Sequence, residues 1–178
     1  RIKPETAGKI SDAAAQQGIA VSVHAPYYIN LANMDDEKIE KSIGYLTQSA
    51  QAAAWMGAKR IVFHPGAEGD DRQRSVARIL EVLPTALAEV HAVNPDVRLC
   101  PETMGKIAQI GDLSETILFC RLDERLLPCI DFGHLHARSL GKVEGREAFA
   151  QVLDEMEQGL GYERIKHFHI HFSRIEYT

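Results

Sequence analysis

The sequence predicts an α/β fold built around a parallel sheet, and two observations lead to that prediction. Short apolar runs rich in β-branched residues alternate along the chain with longer segments of helical character. The strand-like runs recur at a spacing of roughly 35 residues, which suits right-handed βαβ units. No linker or low-complexity stretch interrupts the 178 residues, so we expect a single domain.

The first part of the chain contains two predicted helices with a predicted strand between them. Residues 4–17 have helical character and are followed by Gly18, a residue type that commonly ends helices. Residues 19–24 (I-A-V-S-V-H) are apolar and β-branched, which predicts a buried strand. Residues 35–56 form a long predicted helix, because acidic residues at its start suit the positive end of the helix dipole and Gly57 can end it.

The same alternation continues to the end of the chain. Apolar runs predict four further strands, at residues 60–64, 97–102, 126–132 and 165–171. The segments between them predict three helices, at about residues 71–93, 113–120 and 146–158. We expect a kink in the first of these helices at Pro84, because proline lacks the N–H that a helix interior needs.

The composition is that of an ordinary globular domain. Apolar residues make up 45% of the chain and charged residues 25%, and the formal net charge of −5 gives no global basic field for nucleic acid. No stretch is long enough to predict a membrane span. The cysteines Cys100, Cys120 and Cys129 are odd in number and lack C-x-x-C spacing, which favours buried, reduced thiols in a cytoplasmic protein.

Each predicted strand carries, at or near its end, a residue that can bind a metal or move a proton. These residues are His24, His64, Glu102, Asp131 with His134 shortly after it, and the alternating histidines His167, His169 and His171. The carboxyl ends of parallel strands lie on one face of a sheet or barrel, where active sites are built. Any one of them alone is more simply a hydrogen-bonded rim residue, but their recurrence at successive strand ends predicts a common site.

Imidazoles mixed with carboxylates predict a metal centre. This is the ligand set of zinc, and also of manganese or iron. Three or more histidines with two acids exceed what one tetrahedral ion needs, which indicates two or more ions, and such sites suit phosphoester hydrolysis. His167, His169 and His171 are spaced two apart, so they are expected on one face of a strand. We expect one of them to bind metal and another to hydrogen-bond behind it.

Five groups of residues resemble the endonuclease IV family of abasic-site endonucleases, a TIM barrel family of the xylose isomerase-like superfamily. They are H-A-P-Y-Y-I-N-L (24–31), F-H-P-G (63–66), E-T-M-G-K (102–106) with Q-I-G (109–111), C-I-D-F-G-H (129–134) and F-H-I-H (168–171). They occur in the family's order and cover nearly all of residues 1–178. The resemblance implies a partial TIM (β/α)8 barrel, covering about strands 3 to 7. The remaining strands are then expected before Arg1 and after Thr178.

The resemblance also implies a function and its ligands. Family members use three zinc ions to cut the phosphodiester on the 5′ side of an abasic sugar in double-stranded DNA. Two to three Zn²⁺ ions are therefore expected here, with Mn²⁺ or iron as alternatives. The residues that match family ligands are His24 and His64 for the first ion, Asp131 and His169 for the second, and His134 for the third. Glu102 matches the catalytic carboxylate that bridges the first two ions.

At three positions the resemblance leaves an alternative open or departs from the family pattern. Tyr27 matches an aromatic residue that enters the duplex beside the lesion, although a rim tyrosine that only packs on its neighbours, or a role for Tyr28 instead, fits the sequence too. The family usually has E-N-T-A-G where this chain has P-E-T-M-G, and we expect Glu102 to bind despite the shift. The last strand has His169 and His171 where the family has H-x-N, so His171 is the second choice as ligand or as a residue behind it.

Two other functions fit parts of the same pattern. Sugar isomerases and epimerases of the same superfamily hold one divalent metal with Glu, Asp, His and Glu at strand ends. Such an enzyme needs a second catalytic glutamate and has no need for both His24 and His64 as ligands, which favours the nuclease. A non-catalytic relic that binds metal or DNA would have lost ligands, whereas all the expected ones are present between His24 and His169.

Overall fold

The computed structural model describes residues 2–173 and residue 175. Within them, the strands are β1 (Val23–His24), β2 (Arg60–Phe63), β3 (Gly66–Ala67), β4 (Arg98–Pro101), β5 (Gln109–Ile110), β6 (Cys129–Asp131) and β7 (His169–His171). The helices are α1 (Pro4–Gln17), α2 (Asp36–Met56), α3 (Arg72–Val93), α4 (Leu113–Cys120), α5 (Phe132–Arg138), α6 (Gly145–Leu160) and α7 (Tyr162–Ile165).

Five of the described strands are parallel and form one curved wall. β1, β2 and β4 are hydrogen-bonded neighbours, and β6 pairs with β7. Bridges from Leu99 to Leu126 and from Glu102 to Cys129 join β4 to β6. The rings of His24 on β1 and His171 on β7 stack with their centroids 6.0 Å apart, so the two ends of the wall curve toward each other. The predicted parallel α/β architecture is confirmed, in the form of part of a barrel wall.

The two faces of the wall are buried in different ways. Outward side chains such as Ile61, Phe63 and Leu99 join Leu46 of α2 and Leu83 of α3 in the main apolar core. Burying such side chains contributes about 1.5–3 kcal/mol each, so this layer fixes where the strands lie.

The inward face carries a separate, smaller cluster. It consists of Val62, Cys100, Leu127 and Cys129, which alternate along their strands with the outward residues. This apolar layer forms a floor. The polar side chains at the carboxyl ends of the strands lie above it.

Capping residues set the helix boundaries. α1 has the predicted bounds and ends at Gly18, which has a left-handed φ of 65°. The carboxylate of Asp35 accepts a hydrogen bond from the backbone N–H of Glu37 and starts α2. α3 continues through Pro84 as one helix, and the kink expected there stays a prediction. The predicted helices are thus confirmed to within one or two residues.

The first predicted strand was wrong in length and in burial. Only Val23 and His24 pair, with Ile61 and Val62 of β2, whereas residues 19–22 are irregular. Ile19 is 63% exposed, so this apolar run is not buried as its composition suggested. β2 begins only at Arg60 and first pairs with β1 through Ile61 and Val23, so the residues before Val23 have no described strand beside them to join.

The last two predicted strands were too long. The segment at 126–132 narrows to β6. At its start Leu126 makes only an isolated bridge to Leu99, and at its end Asp131 caps α5, a helix that the sequence did not predict, by accepting from the N–H of His134. The segment at 165–171 narrows to β7 after the short helix α7. His167 lies before this strand and is exposed, so only two of the three alternating histidines share a strand face.

The cysteines behave as expected. Cys100, Cys120 and Cys129 are all free and buried. Burial raises the pKa of the Cys100 thiol to about 12, which makes it unreactive near neutral pH. In the described part of the chain, no helix combines the length and the apolarity that crossing a bilayer requires.

Candidate metal centre

The predicted strand-end residues converge above the interior floor. His24 ends β1, His64 follows β2, Glu102 follows β4, and Asp131 and His171 end β6 and β7. Because the parallel strands share one direction, all five side chains lie at the same rim, as the sequence predicted.

Glu102 is the centre of the cluster. Its side chain is only 2% exposed, and its two oxygens face different partners. Oε2 lies 3.1 Å from Nε2 of His24 and 3.1 Å from Nε2 of His64. Oε1 lies 2.5 Å from Nδ1 of His171 and 4.0 Å from Nδ1 of His134. The carboxylate therefore joins two sets of imidazoles, one on each oxygen.

Two groups of ligand atoms around this carboxylate are compact enough to hold an ion. His24, His64 and Glu102 form one group, and Glu102, Asp131 and His171 form the other. In each group the ligand atoms lie within 4.8 Å of one another. Nitrogen and carboxylate donors at such spacing fit Zn²⁺ and also Mn²⁺ or iron.

The hydrogen bonds of His24 show why a cation fits the first group. Its Nδ1 is 2.7 Å from the carbonyl of Ala25, which can only accept, so Nδ1 is the donor. In a neutral ring Nε2 then carries a lone pair, and that lone pair faces Oε2 of Glu102 at 3.1 Å. Two acceptors face each other unless a proton or a metal ion lies between them. A carbonyl that fixes the tautomer in this way is also the usual arrangement behind a metal-binding histidine.

The pKa shifts of Glu102 and His24 reflect the same close approach of a nitrogen and a carboxylate oxygen. Burial alone would raise the pKa of Glu102, but hydrogen bonds from His24, His64 and His171 outweigh burial and hold it well below its usual range. Burial would lower the pKa of His24, yet its contacts with Glu102 and with the carbonyl of Ala25 raise it. Both shifts arise because an imidazole nitrogen faces a carboxylate oxygen, with the space between them in the position that a metal ion can take.

Thr103 fixes the residues on the other side of Glu102. Its hydroxyl accepts from the backbone N–H of Asp131 at 2.9 Å, and its carbonyl accepts from Nδ1 of His134 at 2.8 Å. Nδ1 of His134 is therefore a donor, and Nε2 is the nitrogen with a lone pair in the neutral ring. Thr103 was not among the residues predicted from the sequence, although it lies directly beside Glu102 in the same motif.

The register of β7 separates its two histidines. His171 pairs with Asp131, whereas His169 pairs with Cys129, two residues deeper in the wall. Nδ1 of His171 lies 3.8 Å from Oδ2 of Asp131, while Nδ1 of His169 lies 3.4 Å from the guanidinium of Arg60. Burial, with the nearby His171 and Arg60, lowers the pKa of His169. The geometry therefore brings His171, the second choice from the sequence, to the carboxylates, and leaves His169 below them.

Tyr27 and Tyr28 occupy different surroundings. Tyr27 is 74% exposed and its ring lies over the site, with centroids 4.9 Å from His24 and 5.1 Å from His64. The ring of Tyr28 instead makes an edge contact with Tyr45 of α2, 4.8 Å away. Of the two, Tyr27 is the one placed to contact a ligand at the rim.

Two of the motifs that the sequence presents separately are joined in the structure. Oδ1 of Asn30 accepts from the backbone N–H groups of Ala32 and Ala67, and this contact requires a glycine at position 66. A Cβ on Gly66 would come within 2.5 Å of that same oxygen. The loop after His24 is thereby tied to the loop after His64. Asn30, like Thr103, was missed although it lies inside a quoted motif.

The loop after Glu102 is held by a charged network. β3 and β5 form a two-stranded antiparallel ribbon, and Arg72 lies beside it. The guanidinium of Arg72 donates to both carboxylate oxygens of Glu115 at 2.7 Å and to the carbonyls of Ile107 and Gln109. Glu115 also accepts from the N–H of Gly111, whose φ of 128° favours glycine. These contacts fix the segment that returns beneath Glu102.

Comparisons with known sequences agree with this architecture. Residues 1–176 match the family described as xylose isomerase-like TIM barrel. An uncharacterized protein of Methanocaldococcus jannaschii is 41% identical over 90% of this chain and 59% of its own length. A probable endonuclease 4 of Staphylococcus carnosus is 34% identical over 88% of this chain and 53% of its own length. The chain thus spans a little over half the length of these relatives.

Solved structures show the same fold. Endonuclease IV of Thermus thermophilus superposes with a TM-score of 0.71 at 25% identity, over 93% of this chain and 58% of that protein. A D-psicose 3-epimerase superposes with a TM-score of 0.74 at 14% identity, over 97% of this chain and 59% of that protein, a likeness of fold alone. The resemblance to endonuclease IV that the motifs indicated is confirmed.

Proposed function

Since this chain belongs to the xylose isomerase-like TIM barrel family, we propose that it carries the metal centre of a cytoplasmic DNA-repair endonuclease. The enzyme hydrolyses the phosphodiester on the 5′ side of abasic sites in double-stranded DNA. The observation that carries the proposal is the division of the two Glu102 oxygens between two imidazole sets, His24 with His64 and His171 with His134. A bridging carboxylate of this kind suits a centre of two or more ions.

The proposed ligands follow the two compact groups. His24, His64 and Glu102 hold one ion, and Glu102, Asp131 and His171 hold the next. His134 contributes Nε2 to a third ion, because its Nδ1 is engaged by the carbonyl of Thr103. We propose zinc for these positions, with manganese or iron as substitutes that the same nitrogen and oxygen ligands accept. His171 replaces His169 in this assignment because it lies beside both carboxylates.

The centre's chemistry is a matter of charge and position. Metal ions held there would lower the pKa of a bound water and compensate charge on the attacked phosphate. Glu102 acts in catalysis by holding the two sets of histidines at a fixed separation. Both of its oxygens are in contact with histidine nitrogens, and its side chain is buried. The backbone N–H of Asp131 is held by Thr103, which limits how far that ligand can move.

Substrate binding is assigned to Tyr27. Its exposed ring lies above His24 and His64, so a nucleotide or a sugar entering the site must pass it. An aromatic face there can stack on a base next to the lesion. An abasic position costs less to unstack than a normal base pair, which gives part of the selectivity.

The test uses the protein from its complete gene and a duplex with one tetrahydrofuran abasic analogue. We expect a single cut 5′ to the lesion, lost after metal stripping and restored by Zn²⁺, with no cut in the same duplex without the lesion. Metal analysis should give two to three zinc ions per chain, and fewer in Glu102→Gln. A duplex that stays intact with every metal contradicts the proposal, and turnover of a ketose by the same preparation would assign a sugar epimerase instead.

A further inference from the structure

We propose that Cys129, His169 and His171 form a second kind of metal site, for a thiophilic ion such as Zn²⁺ or Cd²⁺, directly beneath the carboxylate centre. One ligand atom from each of the three residues lies within 4.8 Å of the other two. The group contains no carboxylate, and so it differs in chemistry from the two groups around Glu102. Its existence does not depend on the proposed nuclease activity.

Strand register explains why these residues meet. β6 and β7 pair in parallel, with Cys129 opposite His169 and Asp131 opposite His171. Residues two apart on a strand point to the same face, so all four side chains face the interior in two levels. The upper level pairs a carboxylate with an imidazole, and the lower level pairs a thiol with an imidazole. The ring centroids of His169 and His171 are 5.1 Å apart, which brings the two levels within reach of one ion.

The two levels prefer different ions. A thiolate with two imidazoles selects soft ions such as Zn²⁺, Cd²⁺ or Cu⁺, whereas carboxylates accept harder ions. Cys129 is fully buried in the interior floor, so an ion bound there is shielded from water on the side of the thiol. His169 also lines a cavity of about 440 Å³ beside α1 and β2, and its Nδ1 lies 3.4 Å from the guanidinium of Arg60, which an ion on that nitrogen would displace.

His171 couples the two sites. Its Nδ1 is hydrogen-bonded to Glu102 at 2.5 Å, and the same ring is one of the three ligands of the thiol site. An ion bound by Cys129 and His169 therefore competes for a side chain that the carboxylate centre needs. Cd²⁺ bound at the lower level should weaken the upper one. This last step alone rests on the metal centre proposed above.

The direct test is a Cd²⁺ titration of the metal-free full-length protein, followed by the ultraviolet thiolate-to-cadmium charge-transfer band. Cys129→Ala is compared with Cys100→Ala, a matched control, because both cysteines are fully buried in the same interior cluster. We expect the band in the wild type and in Cys100→Ala, and its loss in Cys129→Ala. His169→Gln should keep the band but weaken Cd²⁺ binding at least about tenfold, since changes even in residues behind a ligand cost that much.

The outcomes separate this site from the carboxylate centre. Glu102→Gln should keep the thiolate band, so a band that persists when that variant is inactive supports both proposals independently. A wild type that binds Cd²⁺ without a thiolate band overturns the thiol site and leaves the carboxylate centre standing. A band lost in Cys100→Ala but kept in Cys129→Ala overturns it too. If Cys129→Ala does not fold, the His169→Gln titration decides, because unchanged Cd²⁺ affinity there contradicts the site.

Discussion

The two sides of the candidate metal centre, β1, β2 and β4 on one and β6 and β7 on the other, differ in how their strands pair and pack. β1, β2 and β4 form one hydrogen-bonded sheet, in which β2 and β4 stay in register from Arg60 opposite Arg98 to Phe63 opposite Pro101, while β1 joins only through Val23 and His24. On the other side β6 and β7 pair through three residues, and Ile170 in the middle of β7 is 50% exposed.

The difference is visible in the distances around Glu102. His24 and His64 both lie 3.1 Å from one of its oxygens. On the other side the distances are uneven: His171 lies 2.5 Å from the second oxygen but 3.8 Å from Asp131, and His134 lies 4.0 Å from the second oxygen. Because β2 and β4 pack under α2 and α3, we expect His64 and Glu102 to keep these positions when an ion binds, whereas the uneven distances to His134 and His171 leave that side to be adjusted. We therefore expect the β1–β2–β4 side to be preorganised, and the side chains on the β6–β7 side to move when a metal ion binds.

Removing the group shared by both sides should have the largest effect. Glu102→Gln keeps the shape of the side chain but removes the charge that both imidazole sets face. We expect incision of the abasic duplex to fall by more than the roughly 100-fold that changes behind a metal ligand cost. Incision rates should be measured under single-turnover conditions. Glu89→Gln, an exposed change on α3, is the matched control, and comparable losses in the two variants would argue against a central role for Glu102.

The second prediction concerns the side formed by β6 and β7. His171→Gln should lower incision by about 10- to 100-fold and reduce the number of bound zinc ions, because it removes a ligand beside both carboxylates. His169→Gln should cost only a few-fold, since that ring lies one level lower and faces Arg60. The two histidines are two residues apart and lie on the same face of β7, so each variant is the control for the other. If His169→Gln lowers incision more than His171→Gln does, the ligand is His169, as the endonuclease IV motif implies. The assignment of His171 from the β6–β7 register would then be wrong.

The third prediction tests how substrate contacts divide between the sides. Tyr27→Ala should weaken binding of the abasic duplex roughly tenfold, the scale of one lost base–aromatic stack, with a smaller change in the single-turnover rate. Tyr28→Ala should leave duplex affinity nearly unchanged, because that ring packs on Tyr45. Fluorescence anisotropy with a labelled duplex measures both. Unchanged affinity in Tyr27→Ala would contradict the contact, and an equal loss in Tyr28→Ala would contradict a role specific to Tyr27.

Sequence reasoning succeeded where one local rule decides the outcome. Helices α1 and α2 have their predicted bounds to within a residue because Gly18, Asp35 and Gly57 act on their immediate neighbours. The convergence of His24, His64 and Glu102 followed from parallel strands alone. It needed no knowledge of the register.

The sequence failed where two segments compete. The run from 126 to 132 is apolar throughout, yet Asp131 ends the strand by capping α5, and apolar composition does not show where a cap intervenes. The choice between His169 and His171 depends on the register of β7 against β6, and both residues point to the same face. Thr103 and Asn30 act through backbone contacts to residues distant in sequence, which composition and spacing do not show.

The smallest expected effect comes from removing hydrogen bonds beside the β1–β2–β4 side without changing a proposed ligand. Arg72→Gln removes the paired hydrogen bonds to Glu115 and frees the carbonyls of Ile107 and Gln109. The side chain of Arg72 is 26% exposed, so solvent screens part of the loss, and we expect a drop of roughly 1–3 kcal/mol in the free energy of unfolding. Incision should fall only a few-fold, because the three-stranded sheet still positions His24, His64 and Glu102. Urea unfolding measures the first quantity, and Arg72→Lys should recover part of it. A loss of activity as large as that of Glu102→Gln would mean that the loop after Glu102, rather than the sheet, fixes the position of the carboxylate. The contrast between the two sides of the centre would then arise from the loops and not from strand pairing.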